Sequence, residues 1–232
     1  MAEPAEPKRV WQIPERLRLE LLAALSTEPQ QAERMTFEEF LAWADEDTHA
    51  EWVDGRVTMP SPASAQHQRI QKFLASLLSL YVEANDIGEV MVAPFQMRLP
   101  RSSREPDLLF VATAHRDQIR GTYLDGPADL VVEILSPESI GRDRGEKFLE
   151  YREGGVPEYW LMDPLAQSVE LYLLDERGHY VTVAPDADGV FHSRSLPGFW
   201  LDPAWLWQEP LPNVIRTMKL IAREAYERYA GE

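Results

Sequence analysis

A mixed α/β domain, a β-sheet with helices on its faces, is the fold class this sequence predicts, and three segments predict it. ADLVVEILS (128–136) is a nearly unbroken apolar run, as expected of a central strand covered on both faces. Residues 64–86 place Ile70, Phe73, Leu74, Leu77, Tyr81 and Ala84 on one helical stripe. VPEYWLMD (156–163) and SVELYLLD (168–175) read as an antiparallel strand pair joined across Pro164-Leu165.

The remaining elements follow in chain order. Residues 1–14 form a proline-rich arm, and ERLRLELLAAL (15–25) predicts a short amphipathic helix. Thr36-Phe37-Glu38-Glu39 is a capping box, in which the Thr hydroxyl and the Glu39 carboxylate satisfy each other's free amides. Asp54-Gly55 between two short extended runs predicts a hairpin. EVMVAPFQMRL (89–99) and EPDLLFV (105–111) read as consecutive strands. A helix is expected from Ser139 to about Gly154, stopped by Gly154-Gly155. Residues 214–230 close the chain as an amphipathic helix. The expected organisation is an arm over 1–34, a domain over 35–205 and a terminal helix over 206–232.

Composition bounds the function. The chain has 232 residues, 44% hydrophobic and 27% charged, ordinary values for a globular protein. No apolar run approaches the ~20 residues that span a bilayer, and the start has no hydrophobic signal core. A cytoplasmic protein that does not engage membrane is the expectation. The two terminal helices are expected to pack on the body or on a second copy, which leaves room for a homodimer. The absence of cysteine excludes disulfides and thiolate chemistry. The net charge of −16 argues against strong nonspecific binding to nucleic acid, which needs a basic surface. The basic residues are densest in 101–155.

The chemistry-bearing signal is a pair of acids in strands that are otherwise apolar. Asp107 follows Pro106 and precedes LLFV; Glu133 lies between Val131-Val132 and Ile134-Leu135. A carboxylate there costs several kcal/mol unless it is paired or binds a cation. The pairing alternative is a salt bridge to Arg98, Arg101 or Arg104. Asp143, Lys147 and Tyr151 share one helical face at i, i+4 and i+8. Lys147 is either drawn into a site by that face or solvated and paired with Asp143 or Glu150. His67 faces inward beside Ile70 and Leu74, a position more often held by a hydrogen-bonded core histidine than by a catalytic one. Gln96, on the strand before Asp107, is expected to line the same cleft.

Pro106-Asp107, then Glu133-Ile134-Leu135-Ser136-Pro137, Asp143, Lys147, Tyr151 and GVPEYWLMDP together resemble the Uma-two family, of the PD-(D/E)XK restriction-endonuclease-like superfamily. The EWVDGRV hairpin and His67 belong to the same resemblance, which covers roughly 35–185. It implies a restriction-endonuclease-like mixed sheet flanked by helices, with an N-terminal hairpin. It further implies a metal-dependent endonuclease acting on DNA. Asp107, Glu133 and the Ile134 carbonyl would ligate Mg²⁺ or Mn²⁺, with Lys147, Glu51 and His67 completing the catalytic set. The superfamily's usual lysine position, two residues after the strand glutamate, is Leu135 here, and the family's lysine maps to Lys147 on the following helix.

Two functions are open at this point: a phosphodiesterase, or a nuclease-shaped binding or assembly module. A basic rim from Arg101, Arg104, Arg142, Arg144 and Arg152 around the acids would favour catalysis.

Overall fold

The computed structural model describes residues 34–44 and 48–231. The expected arm and the helix at 15–25 lie outside these residues. One compact unit, Met35–Glu232, holds every element that follows.

Helix α1 (Phe37–Trp43) begins at the Thr36 capping box with both reciprocal bonds formed, and buries Phe37 and Phe40. Strands β1 (Glu51–Val53) and β2 (Arg56–Thr58) form the hairpin, with Asp54 and Gly55 at φ 47° and 87°. Two positive φ values in sequence suit Asp-Gly, because glycine carries no Cβ to clash there. The long helix α2 (Ala65–Asn85) starts at Ser64, whose hydroxyl accepts the His67 amide. That cap fixes the first turn and sends His67 inward with Ile70 and Leu74.

The expected strand 89–99 is two strands in two sheets: β3 (Gly88–Val92) and β4 (Gln96–Arg98). Pro94 has no amide to extend the ladder, and the chain turns there. The expected strand 105–111 also shifts. Strand β5 (Ser102–Arg104) ends before Pro106, and β6 (Leu108–Ala112) begins just after Asp107. Strand β7 (Tyr123–Asp125) then completes a five-stranded sheet in the order β2-β1-β5-β4-β7.

Strand β8 (Leu130–Ile134) is the buried central strand, followed by a π-helical turn over Arg142–Glu146 and helix α3 (Lys147–Gly154). Gly155, at φ 85°, ends α3. This crossover delivers β9 (Glu158–Asp163) parallel to β8, and β10 (Ser168–Leu174) returns antiparallel to β9. With β11 (Tyr180–Val183) the main sheet runs β11-β10-β9-β8-β6-β3. A two-stranded ribbon, β12 (Phe191–His192) and β13 (Trp200–Leu201), leads to the terminal helix α4 (Val214–Tyr229).

The pleat of β8 divides two cores. Leu130, Val132 and Ile134 pack with Leu74 and Leu77 of α2 and with Met218 of α4. Val131 and Leu135 face the other way, onto Tyr151, Tyr159 and Leu161. Each such buried side chain contributes about 1.5–3 kcal/mol relative to exposure. Trp205 and Leu206 join the first core, so FWLDPAWLW is packing rather than a base-stacking platform. Among the described residues no helix is long and apolar enough to cross a membrane.

Candidate active site

The register of β6 against β8 builds the site. Leu108 pairs Val132, Leu109 pairs Val131 and Phe110 pairs Leu130. One step further along this antiparallel ladder, Asp107 stands across from Glu133. The two acids share the face that carries Val131 and Leu135, the face onto which α3 packs.

Asp107 is held from two sides. Its Oδ2 accepts the Ile134 amide at 2.7 Å and lies 3.2 Å from His67 Nε2. Gln71 of α2 donates to the Asp107 carbonyl at 3.0 Å. Burial opposes a charge on His67, but the Asp107 carboxylate, the Ile134 backbone and Asp143 outweigh it and raise its pKa above the ordinary imidazole value. His67 Nδ1 is buried and has no hydrogen-bond partner.

Glu133 is met by α3. Lys147 Nζ and the Tyr151 hydroxyl both donate to its Oε1, at 2.8 Å and 2.6 Å. The same ammonium lies 3.2 Å from Glu51 Oε1 and 3.4 Å from Asp143 Oδ1. Glu51, Glu133, Asp143 and Lys147 are each no more than 3% exposed. One buried cation therefore serves three buried carboxylates. Burial disfavours its charge, yet Glu133, Glu51 and Asp143 prevail and hold Lys147 above the ordinary lysine range. Burial, reinforced by Asp143 and Asp107 and opposed by Lys147, pushes Glu133 up to about 8.

Glu51 links this cluster to a second cation. Arg104, 1% exposed, donates to Glu51 at 2.9 Å and to Glu150 at 2.7 and 2.8 Å. Burial raises the Glu51 pKa, but the charges of Lys147, Arg104 and Arg142 more than reverse this and leave it lowered.

Asp107, Glu133, Ile134, Lys147, Glu51 and His67 thus line one cleft of about 560 Å³, together with Asp143 and Arg142. Arg104 takes neither Asp107 nor Glu133; Arg98 pairs with Glu38 and Asp125, and Arg101 with Asp54. Gln96 does not reach the cleft. Its amide donates to the Ala50 carbonyl and its oxygen accepts from Ser103, because β4 has turned into the smaller sheet. The arginine rim that would have favoured catalysis does not form. Arg101, Arg144 and Arg152 are drawn to Asp54, to Asp163 with Glu170, and to Glu153, and of the five only Arg142 lines the cleft. Sequence reasoning missed Glu105 and His49. Glu105 is buried, accepts the Ala50 amide at 3.1 Å, lies 3.6 Å from His49 and lines the cleft. Its signal was present: an acid beside Pro106, in the same run as Asp107.

The donor chemistry suits a hard divalent cation. Among the described residues, Asp107 Oδ1 and Glu133 Oε2 take no hydrogen bond, while their partner oxygens are fixed by protein donors. Burial first, and then the nearby charges of Asp143 and Asp107, raise the Glu133 pKa, and a bound cation would offset the cost of ionising it. Among the described residues no group of three or more His, Asp or Glu side chains is gathered for a metal ion. Magnesium is commonly held by one or two carboxylates plus water and phosphate oxygens.

Comparison with known proteins agrees with this architecture. A crystal structure described as "a putative nuclease belonging to DUF820" from Anabaena variabilis superposes with a TM-score of 0.64 at 18% identity, covering 75% of this chain and 97% of that one. Two uncharacterized Synechocystis proteins are related in sequence. One, slr1290, is 24% identical over 70% of this chain and 86% of its own length. The other, sll1609, is 27% identical over 60% and 80%. The profile of the family named Uma2, described as "Putative restriction endonuclease", matches residues 37–204, which span the hairpin, both acid-bearing strands and α3. The chain belongs to the Uma2 family and has its restriction-endonuclease-like fold.

Proposed function

We propose that the cleft hydrolyses phosphodiester bonds of DNA with a divalent cation, Mg²⁺ or Mn²⁺. The carrying observation is the placement of Asp107 across from Glu133 with Lys147 bonded to Glu133. Asp107 and Glu133, with the Ile134 carbonyl, would hold the cation, which supplies charge to the phosphoryl oxygens and lowers the pKa of bound water. Lys147 stays protonated beside its three carboxylates, so it acts as a fixed positive charge and not as the base. Glu51 keeps Lys147 on Glu133 by accepting from Arg104 on its other oxygen. His67 and the Ile134 amide hold Asp107 Oδ2, which leaves Oδ1 to the cleft.

Cleavage of plasmid by the full chain with Mn²⁺ or Mg²⁺, beside a Glu133→Ala control, tests this reading. Nicking that requires the cation and disappears in the control supports it; equal nicking by both proteins overturns it. A second reading has one observation in its favour: Arg101, Arg144 and Arg152 are committed to ion pairs with acids that do not line the cleft. It makes the protein a nuclease-shaped binding module, and it prevails if no cation produces cleavage.

A further inference from the structure

We infer that the cleft takes a single nucleic-acid strand, such as an overhang or an unpaired end, in preference to the side of an intact duplex. This rests on the hydrolytic reading for its chemistry but on separate observations for its substrate.

The first observation is depth. The groups that would meet a phosphate lie on the floor of the cleft: Glu133 and Lys147 are 3% exposed and Asp143 is 2%. The same cleft is lined from two separate segments, the exposed stretch 60–63 after β2 and residues of 136–142 before α3. The cleft volume of about 560 Å³ is of the size that takes a small ligand such as a nucleotide or two. A phosphate on a paired strand is carried on a broad cylinder whose second strand would meet those segments first. An unpaired strand can lower one phosphate between them.

The second observation is charge. Duplex DNA carries one negative charge per ~1.7 Å of axis, and proteins that grip it neutralise several phosphates at once. Here the net charge is −16, and Arg142 is the one arginine on the cleft wall among the described residues. Its Nε lies 3.9 Å from Glu51 and 4.0 Å from Asp143 and makes no hydrogen bond. Lys147 is already shared among three carboxylates. The wall therefore offers charge for one or two phosphates, too little for the flank of a duplex.

The third observation is what replaces the missing cations. Gln68, Gln71, Ser61, Ser136 and Ser139 line the cleft beside Pro60 and Pro62. Neutral donors and acceptors next to apolar rings suit unstacked base faces and unpaired Watson–Crick edges, which a duplex keeps inside its stack.

The test is fluorescence anisotropy with the full chain, using a short labelled DNA strand and the blunt duplex made from it, with Ca²⁺ to support binding. The single strand is expected to bind at least roughly tenfold more tightly. Its affinity should fall with salt at a log–log slope of about −0.7 to −1.4, the value for one or two phosphates on a single strand. Arg142→Ala should reduce that slope by about 0.7, and Arg142→Lys should keep it, which separates charge from folding. Duplex binding equal to or tighter than single-strand binding overturns the inference, as does no measurable binding of the strand. Cleavage of both DNAs is scored in parallel with Mn²⁺. If neither is cut while the strand preference holds, the hydrolytic reading fails and the inference stands.

Discussion

Lys147 Nζ lies 2.8 Å from Glu133 Oε1, although fourteen residues and a π-helical turn separate them. Leu135, two residues after Glu133, lies on the same side of the sheet and is buried in the second core with Tyr151. The helix thus brings an amine to the carboxylate from another backbone position. Three carboxylates depend on that amine, so Lys147→Ala should be severe. Uncompensated buried charge costs about 3–5 kcal/mol. The variant should lose cleavage, melt lower in EDTA and regain more stability from added Mn²⁺ than the wild type does. A variant that cleaves at the wild-type rate removes Lys147 from the reaction.

Glu133 sets a pH dependence with a definite sign. Its folded pKa is raised to about 8, above the ordinary 4.5. Between those values the folded protein holds a proton that the unfolded chain has released. The contribution of this group to stability therefore falls as pH rises through the window and levels off above it. Glu133→Gln removes the fall. In EDTA above about pH 8 the variant should be more stable than wild type by about 1 kcal/mol, a rise of about 2–4 °C in melting temperature. A lower melting temperature there would mean that the charged carboxylate is indispensable to Lys147.

The same substitution bears on cation binding. In wild type, Mn²⁺ at a hundredfold excess over its dissociation constant should add about 2.7 kcal/mol to stability. Glu133→Gln should lose most of that increment. Thermal melts with and without Mn²⁺ read the difference, and equal increments in both proteins would place the cation elsewhere.

Tyr151 fixes which oxygen of Glu133 stays free. Its hydroxyl is 2.6 Å from Oε1, the oxygen that Lys147 also holds. Hydrogen bonds to a charged group contribute about 1.5–3 kcal/mol. Tyr151→Phe should lower stability by about that amount at alkaline pH, where Glu133 is ionised, and by less near pH 5. It should also weaken Mn²⁺ binding while leaving the fold intact, as judged by circular dichroism. A pH-independent loss would reduce Tyr151 to packing.

Arg104 is a structural counterpart to Lys147. It is fully buried and bonded to Glu51 and Glu150. Arg104→Leu should cost about 3–5 kcal/mol by leaving Glu51 with less compensating charge. Denaturant unfolding should show an earlier midpoint at an unchanged slope. A midpoint within error of wild type would show that Lys147 alone satisfies Glu51.

Local patterns in the sequence determined much of this protein. The central strand, the long helix, the capping box, the Asp-Gly hairpin and the β9–β10 pair all depend on residues within a few positions of one another. The pleat and the 3.6-residue helical period express themselves over such distances. Asp107 and Glu133 were legible for a related reason: an acid in an apolar strand needs an explanation wherever the strand ends up. Tertiary structure alone decided what each charge meets. Arg104 reaches Glu51 across 53 residues and Glu105 reaches the Ala50 amide across 55, contacts that no local period encodes. It turned Gln96 into the smaller sheet at Pro94, drew Arg101 to Asp54 and Arg144 to Asp163, and left Arg142 on the cleft wall. The reason is the short range of these bonds. A hydrogen-bonded ion pair forms only within about 3 Å, so its partner is chosen by the packing of elements distant in the chain, after their local shapes are set.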